Sequence, residues 1–367
     1  MEPIGLYIHV PFCVSKCPYC DFYSLAAQED AMDAYTDAVI RSLDAWADQL
    51  GRPADTLYFG GGTPSLLGPR RLTRLLETAA ARFGLQGAEI TLEANPADSL
   101  ADTLCAFAAA GGNRLSLGMQ AADDRLLRAL GRRHTLADVQ RTAGDARRAG
   151  LDNLSFDIML GLEGQTRQDV RRAVAVCEAL GASHVSAYLL KIEPGTPFAS
   201  RQLDLPDEDG AADLYLTAAA SLEIRGFRQY EISNFARPGR ESRHNGKYWD
   251  LQPYLGIGPA AHSFLDGRRF YYPRDLRAFL AGEPPRSAED AAIPDNSEEE
   301  YLMLRLRLTA GVTERDFAAR FGKPIPAVWR QRAAAIPPSL LQCDAAGLRL
   351  TREGFLLSST ILARLLV

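Results

Sequence analysis

His9-Val10-Pro11-Phe12-Cys13-Val14-Ser15-Lys16-Cys17-Pro18-Tyr19-Cys20-Asp21-Phe22 is the stretch that decides how this chain is read. It places three cysteines in a CxxxCxxC spacing, directly after an apolar run at 6–10 that reads as a strand. Thiolates suit soft metals, and iron–sulfur clusters are held by cysteines, normally four of them. Three thiolates fill three corners of a four-iron cluster and leave the fourth iron open to another ligand. Zinc is the alternative, with His9 completing a Cys3His set. His9 falls within the candidate strand, however, and zinc sites usually draw on two separated ligand pairs. Spacing favours the cluster and leaves zinc open.

Outward from this stretch, short apolar runs alternate with amphipathic ones as far as about residue 235. The runs at 6–10, 56–59, 89–93, 114–119, 154–159 and 185–190 read as strands. Those at 69–83, 100–110, 136–149, 167–180 and 207–225 read as helices, each followed closely by a glycine. Such alternation predicts parallel βαβ units in an α/β fold. About six units are present, fewer than the eight of a closed barrel. Chemistry in such folds gathers at the C-terminal strand ends. Four ends here carry Gly60-Gly61-Gly62-Thr63-Pro64, Glu93 with Asn95 and Pro96, Gln120, and Asp157 with Gly161. All four should open on the mouth that receives the cysteine loop. The glycine run would let a ligand approach the backbone, with free N–H groups for a carboxylate or carbonyl.

The rhythm breaks near residues 237–243. A segment with His244-Asn245-Gly246-Lys247-Tyr248-Trp249 and Gly256-Ile257-Gly258 follows, then a Pro-rich connection at 282–296. Gly256 and Gly258 resemble half a dinucleotide fingerprint, but without a βαβ context they carry little weight. The tail reads as helix 298–308, turn 309–311, helices 314–321 and 327–335, a hairpin at 341–350 and a last helix after Thr351. That order predicts a winged-helix-like accessory domain. The expected division is 1–235, 236–296 and 297–367.

Composition narrows the classes. The 367 residues are 47% hydrophobic and 24% charged, ordinary for a globular protein. A net charge of -5 gives no reason to expect nucleic acid or an anionic membrane as partner. The arginines at 125, 128, 133, 141, 147 and 148 read as solvated helix faces. The N-terminus lacks the pattern of a signal peptide, and no apolar run reaches the ~20 residues of a membrane span. A cytoplasmic protein is expected. Six cysteines do not make a disulfide scaffold. Cys105, Cys177 and Cys343 read as small buried hydrophobes, and His262 as a satisfied core histidine.

The cysteine motif, with Tyr19 before its third cysteine, resembles that of the radical S-adenosylmethionine superfamily. The Gly60-Gly61-Gly62-Thr63-Pro64 turn resembles that superfamily's motif for the methionine amino group. The resemblance implies a partial parallel (β/α)6 barrel. Within the superfamily the chain is similar to the coproporphyrinogen III oxidase-like group, through Tyr7-Ile8-His9-Val10-Pro11-Phe12-Cys13, Phe59–Ser65, Glu93-Ala94-Asn95-Pro96, Arg114–Gln120 and Asp157–Leu162. The tail resembles that group's C-terminal domain. Two features depart from the oxidase. Phe22 stands where the oxidase has a fourth cysteine, and only twelve residues precede Cys13. His244, Asn245, Tyr248 and Trp249 instead match the HNxxYW motif of the group's haem chaperones.

Carried over by position, the resemblance implies that Cys13, Cys17 and Cys20 hold a 4Fe-4S cluster. It implies S-adenosylmethionine beside Tyr7, Phe22, Gly61, Gly62, Thr63, Glu93, Gln120, Arg132 and Asp157. The implied function is a haem chaperone delivering haem to acceptor haemoproteins such as respiratory enzymes. Oxygen-independent coproporphyrinogen III dehydrogenase, a radical decarboxylation of propionate side chains, is the less favoured enzymatic alternative. A zinc-stabilised, non-redox accessory protein is the third reading. For haem, His244 is a candidate axial ligand, and Tyr248 and Trp249 are candidates for stacking on a porphyrin face. The alternative is a structural loop, with His244 and Asn245 satisfying backbone groups and both aromatics packed on the barrel edge.

Overall fold

In the computed structural model, which describes residues 2–97, 99–288 and 294–367, six parallel strands lie side by side in chain order. They are β1 (Ile4–Val10), β2 (Ala54–Gly61), β3 (Glu89–Ala94), β4 (Arg114–Gln120), β5 (Asn153–Leu160) and β6 (His184–Leu189). The register sets apolar residues in a row. Ile8 lies opposite Phe59, Phe59 opposite Leu92, Leu92 opposite Leu115, and Phe156 opposite Val185. Helices including Gly68–Phe83, Ala101–Ala109, Leu136–Arg148 and Arg167–Ala179 alternate with the strands, and their apolar faces join this row in one core. Burying a leucine or phenylalanine there stabilises by roughly 1.5–3 kcal/mol. Thr135 with Asp138, and Thr166 with Asp169, start two of these helices with reciprocal capping boxes.

Strand side chains alternate between faces, so the intervening residues point the other way. That set is polar. It includes Tyr7, Tyr58, Glu93, Arg114, Ser116, Asp157 and Ser186, brought side by side by the same register. The sheet thus has an apolar helix-covered side and a polar side that encloses cavities.

Further strands extend both ends. Beyond β6 come the antiparallel β8 (Asn234–Ala236) and then β7 (Arg228–Gln229). On the other side β9 (Tyr254–Ile257) pairs parallel with β1, followed by β10 (His262–Leu265), β11 (Arg268–Tyr271) and β12 (Arg286–Ser287). The twelve strands form an open sheet with two free edges, a partial barrel rather than a closed one. The stretch 254–287, read from sequence as a loop-like segment and connection, therefore continues the sheet. The missed signal was Asp266-Gly267, a two-residue hairpin turn with both φ values positive, 49° and 76°. Part of the connection, 289–293, lies outside the described residues.

The tail packs helices Glu298–Arg305, Glu314–Phe321 and Ala327–Ala333 against a three-stranded sheet of Val312–Thr313, Leu341–Asp344 and Gly347–Leu350. The expected last helix is two, Arg352–Leu356 and Ser358–Leu366. Leu302, Phe317, Trp329 and Leu348 centre a second core that also takes in Leu251 and Phe264 from the region around β9 and β10. Two expectations about single residues change. Cys177 is buried, but Cys105 and Cys343 are exposed. His262 is exposed, stacked on Tyr271 with centroids 5.3 Å apart. No helix among the described residues is long and apolar enough to cross a membrane.

Candidate functional site

The cysteine loop leaves β1 and folds over the C-terminal ends of β2 to β5. The two ends of the cysteine loop are clamped together by a short parallel bridge, Phe12–Cys13 against Leu25–Ala26, separate from the barrel sheet. Cys13 Sγ lies 3.5 Å from the Thr63 hydroxyl. Arg132 donates to Cys17 Sγ at 3.4 Å and to the Gly118 carbonyl at 2.9 Å. The three half-buried thiols line one cleft with Gly61, Gly62, Thr63, Glu93, Gln120, Arg132 and Asp157. Side chains spread over 144 positions of sequence thus meet at one mouth, as the strand-end pattern predicts. Phe22, 64% exposed, stands at its rim.

Gly61, Gly62 and Thr63 line the cleft, and their backbone donors are taken up by the protein itself. Gly61 N–H donates to Glu93 Oε2 at 3.2 Å. Gly62 N–H donates to the Val10 carbonyl at 2.8 Å, and Thr63 N–H to the Phe12 carbonyl at 2.7 Å. These donors are engaged by the protein, not offered to a ligand carboxylate. The missing Cβ atoms admit the protein's own backbone and rings. A Cβ at Gly62 would sit 2.6 Å from the Phe12 carbonyl oxygen, and one at Gly61, whose φ is +110°, 2.8 Å from the His9 ring. The run docks the cysteine loop onto the barrel.

Glu93 accepts from the Tyr58 hydroxyl at 2.8 Å as well as from Gly61. Burial pushes its carboxyl up to about 7, against the pull of those hydrogen bonds and with a further push from Asp157. Burial also raises the Asp157 carboxyl, which accepts from Ser116 Oγ at 3.4 Å. Gln120 has a left-handed backbone, φ 64°, where the β4–β5 register shifts. A bulge of this kind re-aims a side chain. Here it brings Gln120 Oε1 within 2.9 Å of the Tyr188 hydroxyl, which donates to it.

Tyr7 does not line the cysteine cleft, although its ring lies 6.1 Å from that of Tyr58. Its hydroxyl meets His9 Nδ1 at 3.1 Å, and it lines a neighbouring aromatic cavity of about 570 Å³ with Tyr248 and His262. His9 Nε2 meets the Tyr23 carbonyl at 3.1 Å, so both its ring nitrogens are engaged and His9 would have to release a partner to complete a Cys3His zinc set. His244 is buried. Its Nδ1 meets Thr56 Oγ1 at 2.8 Å and its Nε2 meets the Tyr248 hydroxyl at 2.8 Å. Burial, aided by Lys247 and Arg114, lowers its pKa to about 3. To ligate iron through Nε2 it would have to release Tyr248. Asn245 lines a third cavity, inside the barrel, while Trp249 packs under the Arg307 guanidinium at 5.7 Å. The HNxxYW residues thus face three different surroundings.

Comparison with known proteins adds a second line. The family model for the radical SAM superfamily matches residues 7–177, and that for the HemN C-terminal domain matches 294–357. The chain is 37% identical to the Escherichia coli (strain K12) protein named heme chaperone HemW, over 99% of this chain and 98% of that protein. It is 34% identical to the Bacillus subtilis (strain 168) protein of the same name, over 97% of each. The chain belongs to the HemW family. A mouse mitochondrial protein, radical S-adenosyl methionine domain-containing protein 1, is 34% identical over 99% of this chain and 87% of its own length. The solved structure of Escherichia coli coproporphyrinogen III oxidase, HemN, superposes with a TM-score of 0.84 at 22% identity, covering 99% of this chain and 90% of that one. The radical SAM fold of this HemW-family chain is thereby shown.

Sequence reasoning missed several residues of the site. Tyr58, Ser116 and Tyr188 lie on the inward face of the candidate strands: Tyr58 is opposite Tyr7, Ser116 is opposite Glu93 and two residues after Arg114, and Tyr188 is two residues after Ser186, which is opposite Asp157. Strand parity was the signal that could have found them.

Proposed function

We propose that this protein carries haem and transfers it to acceptor haemoproteins, on a frame that binds a 4Fe-4S cluster and S-adenosylmethionine. Near-full-length similarity to proteins named heme chaperone HemW carries this reading. Two observations at the cleft support a place for these cofactors. Three half-buried thiols are a soft donor set, and among the described residues Arg132 Nε is buried without a partner at the same cleft. Cys13, Cys17 and Cys20 would hold the cluster, and Arg132 and Gln120 would hold polar groups of S-adenosylmethionine. When bound, this pair supplies one-electron chemistry. The protein's own contribution is to dock the cysteine loop through Gly62 and Thr63, to hold Glu93 and Asp157 in a low-dielectric wall, and to screen the cleft with Phe22. His244 serves the fold through Thr56 and Tyr248, and haem finds its place among the two larger cavities.

One anaerobic preparation tests this. The protein is reconstituted with iron and sulfide, its metals are counted, and haem transfer and coproporphyrinogen loss are assayed side by side. About four irons with haem transfer support the proposal. Stoichiometric zinc without iron, or S-adenosylmethionine-dependent decarboxylation of coproporphyrinogen without haem transfer, overturns it. Cys17→Ser should abolish the cluster's visible absorbance, and an intact spectrum would refute its role as ligand.

A further inference from the structure

Arg114 opens β4 on the inward face and is 2% exposed, the largest side chain enclosed to this degree among the described residues. Among those residues it makes no side-chain hydrogen bond and no ion pair, and its Nε is sealed without a partner. A guanidinium keeps its charge at any ordinary pH, and a buried charge is normally paired. Glu93 and Asp157 line the same cavity as Arg114 and feel its charge, which pulls both carboxyls down against burial, but among the described residues neither comes within ion-pair distance of it. Glu93 accepts from Tyr58 and Gly61, and Asp157 from Ser116. His184, on the same face, has its ring nitrogens engaged by Ser155 and Tyr230, both at 2.8 Å. Arg114 instead lines the barrel cavity, about 620 Å³, whose wall nearer the cysteine loop carries Tyr19, Tyr188 and Leu190. A cavity of that size suits an organic ligand.

We propose that Arg114 forms the floor of an anion site that takes a carboxylate of an amphipathic, planar acid. The acid's apolar body lies against the Tyr19, Tyr188 and Leu190 wall. A guanidinium fork matches a carboxylate in two parallel hydrogen bonds. The site deepens the haem-carrier reading and rests on it for its ligand, in which the carboxylate is a propionate.

Protoporphyrin IX and its dimethyl ester are the probes, because they share a ring and differ in the carboxylates, and neither needs an axial ligand. Fluorescence titrations use the full chain, as wild type, Arg114→Met and Arg114→Lys. Wild type should bind the diacid at least tenfold more tightly than the ester. Arg114→Met should abolish that preference, and Arg114→Lys should keep part of it. Without ligand, Arg114→Met should melt no lower than wild type, because an unpaired buried charge has been replaced by an apolar chain. Equal binding of diacid and ester by wild type, or binding of neither, overturns the proposal. So does a preference that survives in Arg114→Met, or a ligand-free melting temperature that falls in that variant, which would mark Arg114 as a structural ion. Haem transfer to an apo-haemoprotein is measured separately. Its failure beside an intact acid preference would remove the carrier reading and leave the anion site standing.

Discussion

Single residues at the site are tuned mainly by burial. Glu93 titrates near 7 in the fold, above its ordinary 4.5, so the folded protein holds that proton more tightly than the unfolded chain does. Stability from this group is therefore full below pH 4.5 and falls as pH rises to 7, by on the order of 3 kcal/mol. Glu93→Gln should remove that fall. Chemical denaturation of both proteins across this window should show their difference changing with pH, and a constant difference would refute the assignment. His244 is displaced in the opposite sense. Its value of about 3 lies below the ordinary 6.5, so its contribution is lost as pH falls through that interval. His244→Ala breaks two buried hydrogen bonds and should cost roughly 2–4 kcal/mol. The haem absorbance maximum should stay where it is in wild type. A shifted or lost maximum in the folded variant would show that His244 leaves Tyr248 to bind iron.

At the scale of elements, the turn after β2 and the cysteine loop form one unit. Gly62→Ala drives a Cβ into the Phe12 carbonyl, a backbone atom that cannot swing aside. The expected cost is about 1–3 kcal/mol. Iron retained after reconstitution should fall although all three cysteines remain, and full retention would show that the loop docks by other means. The six strands and the convergence of their ends were legible in the chain, because alternating βα patterning leaves few topologies. The glycine run was legible as a special turn but not in its role. Sequence cannot tell whether space beside a glycine is filled by a ligand or by the protein's own Phe12. Strands β9 to β12 were obscured by Gly and Pro among aromatics, and only Asp266-Gly267 marked them as a hairpin.

On the scale of the whole molecule, Leu251 and Phe264 belong to the core of the C-terminal domain while their chain neighbours belong to the barrel sheet. A shared core couples the two parts. Thermal unfolding should be a single transition by near- and far-ultraviolet circular dichroism, and Phe264→Ala should lower the whole of it, by roughly 3–5 kcal/mol. Two separate transitions, with only one moved by the substitution, would show independent domains. The sequence by itself determined the three-thiol motif, the six parallel units and the four polar strand ends, because these follow from local spacing and strand–helix alternation. Tertiary structure alone decided which polar atoms are already satisfied. It engaged both nitrogens of His9 and His244, filled the glycine turn with Phe12, and left Arg114 Nε without a partner among the described residues. Hydrogen bonding and burial join residues far apart in the chain, and a one-dimensional pattern does not record those distances.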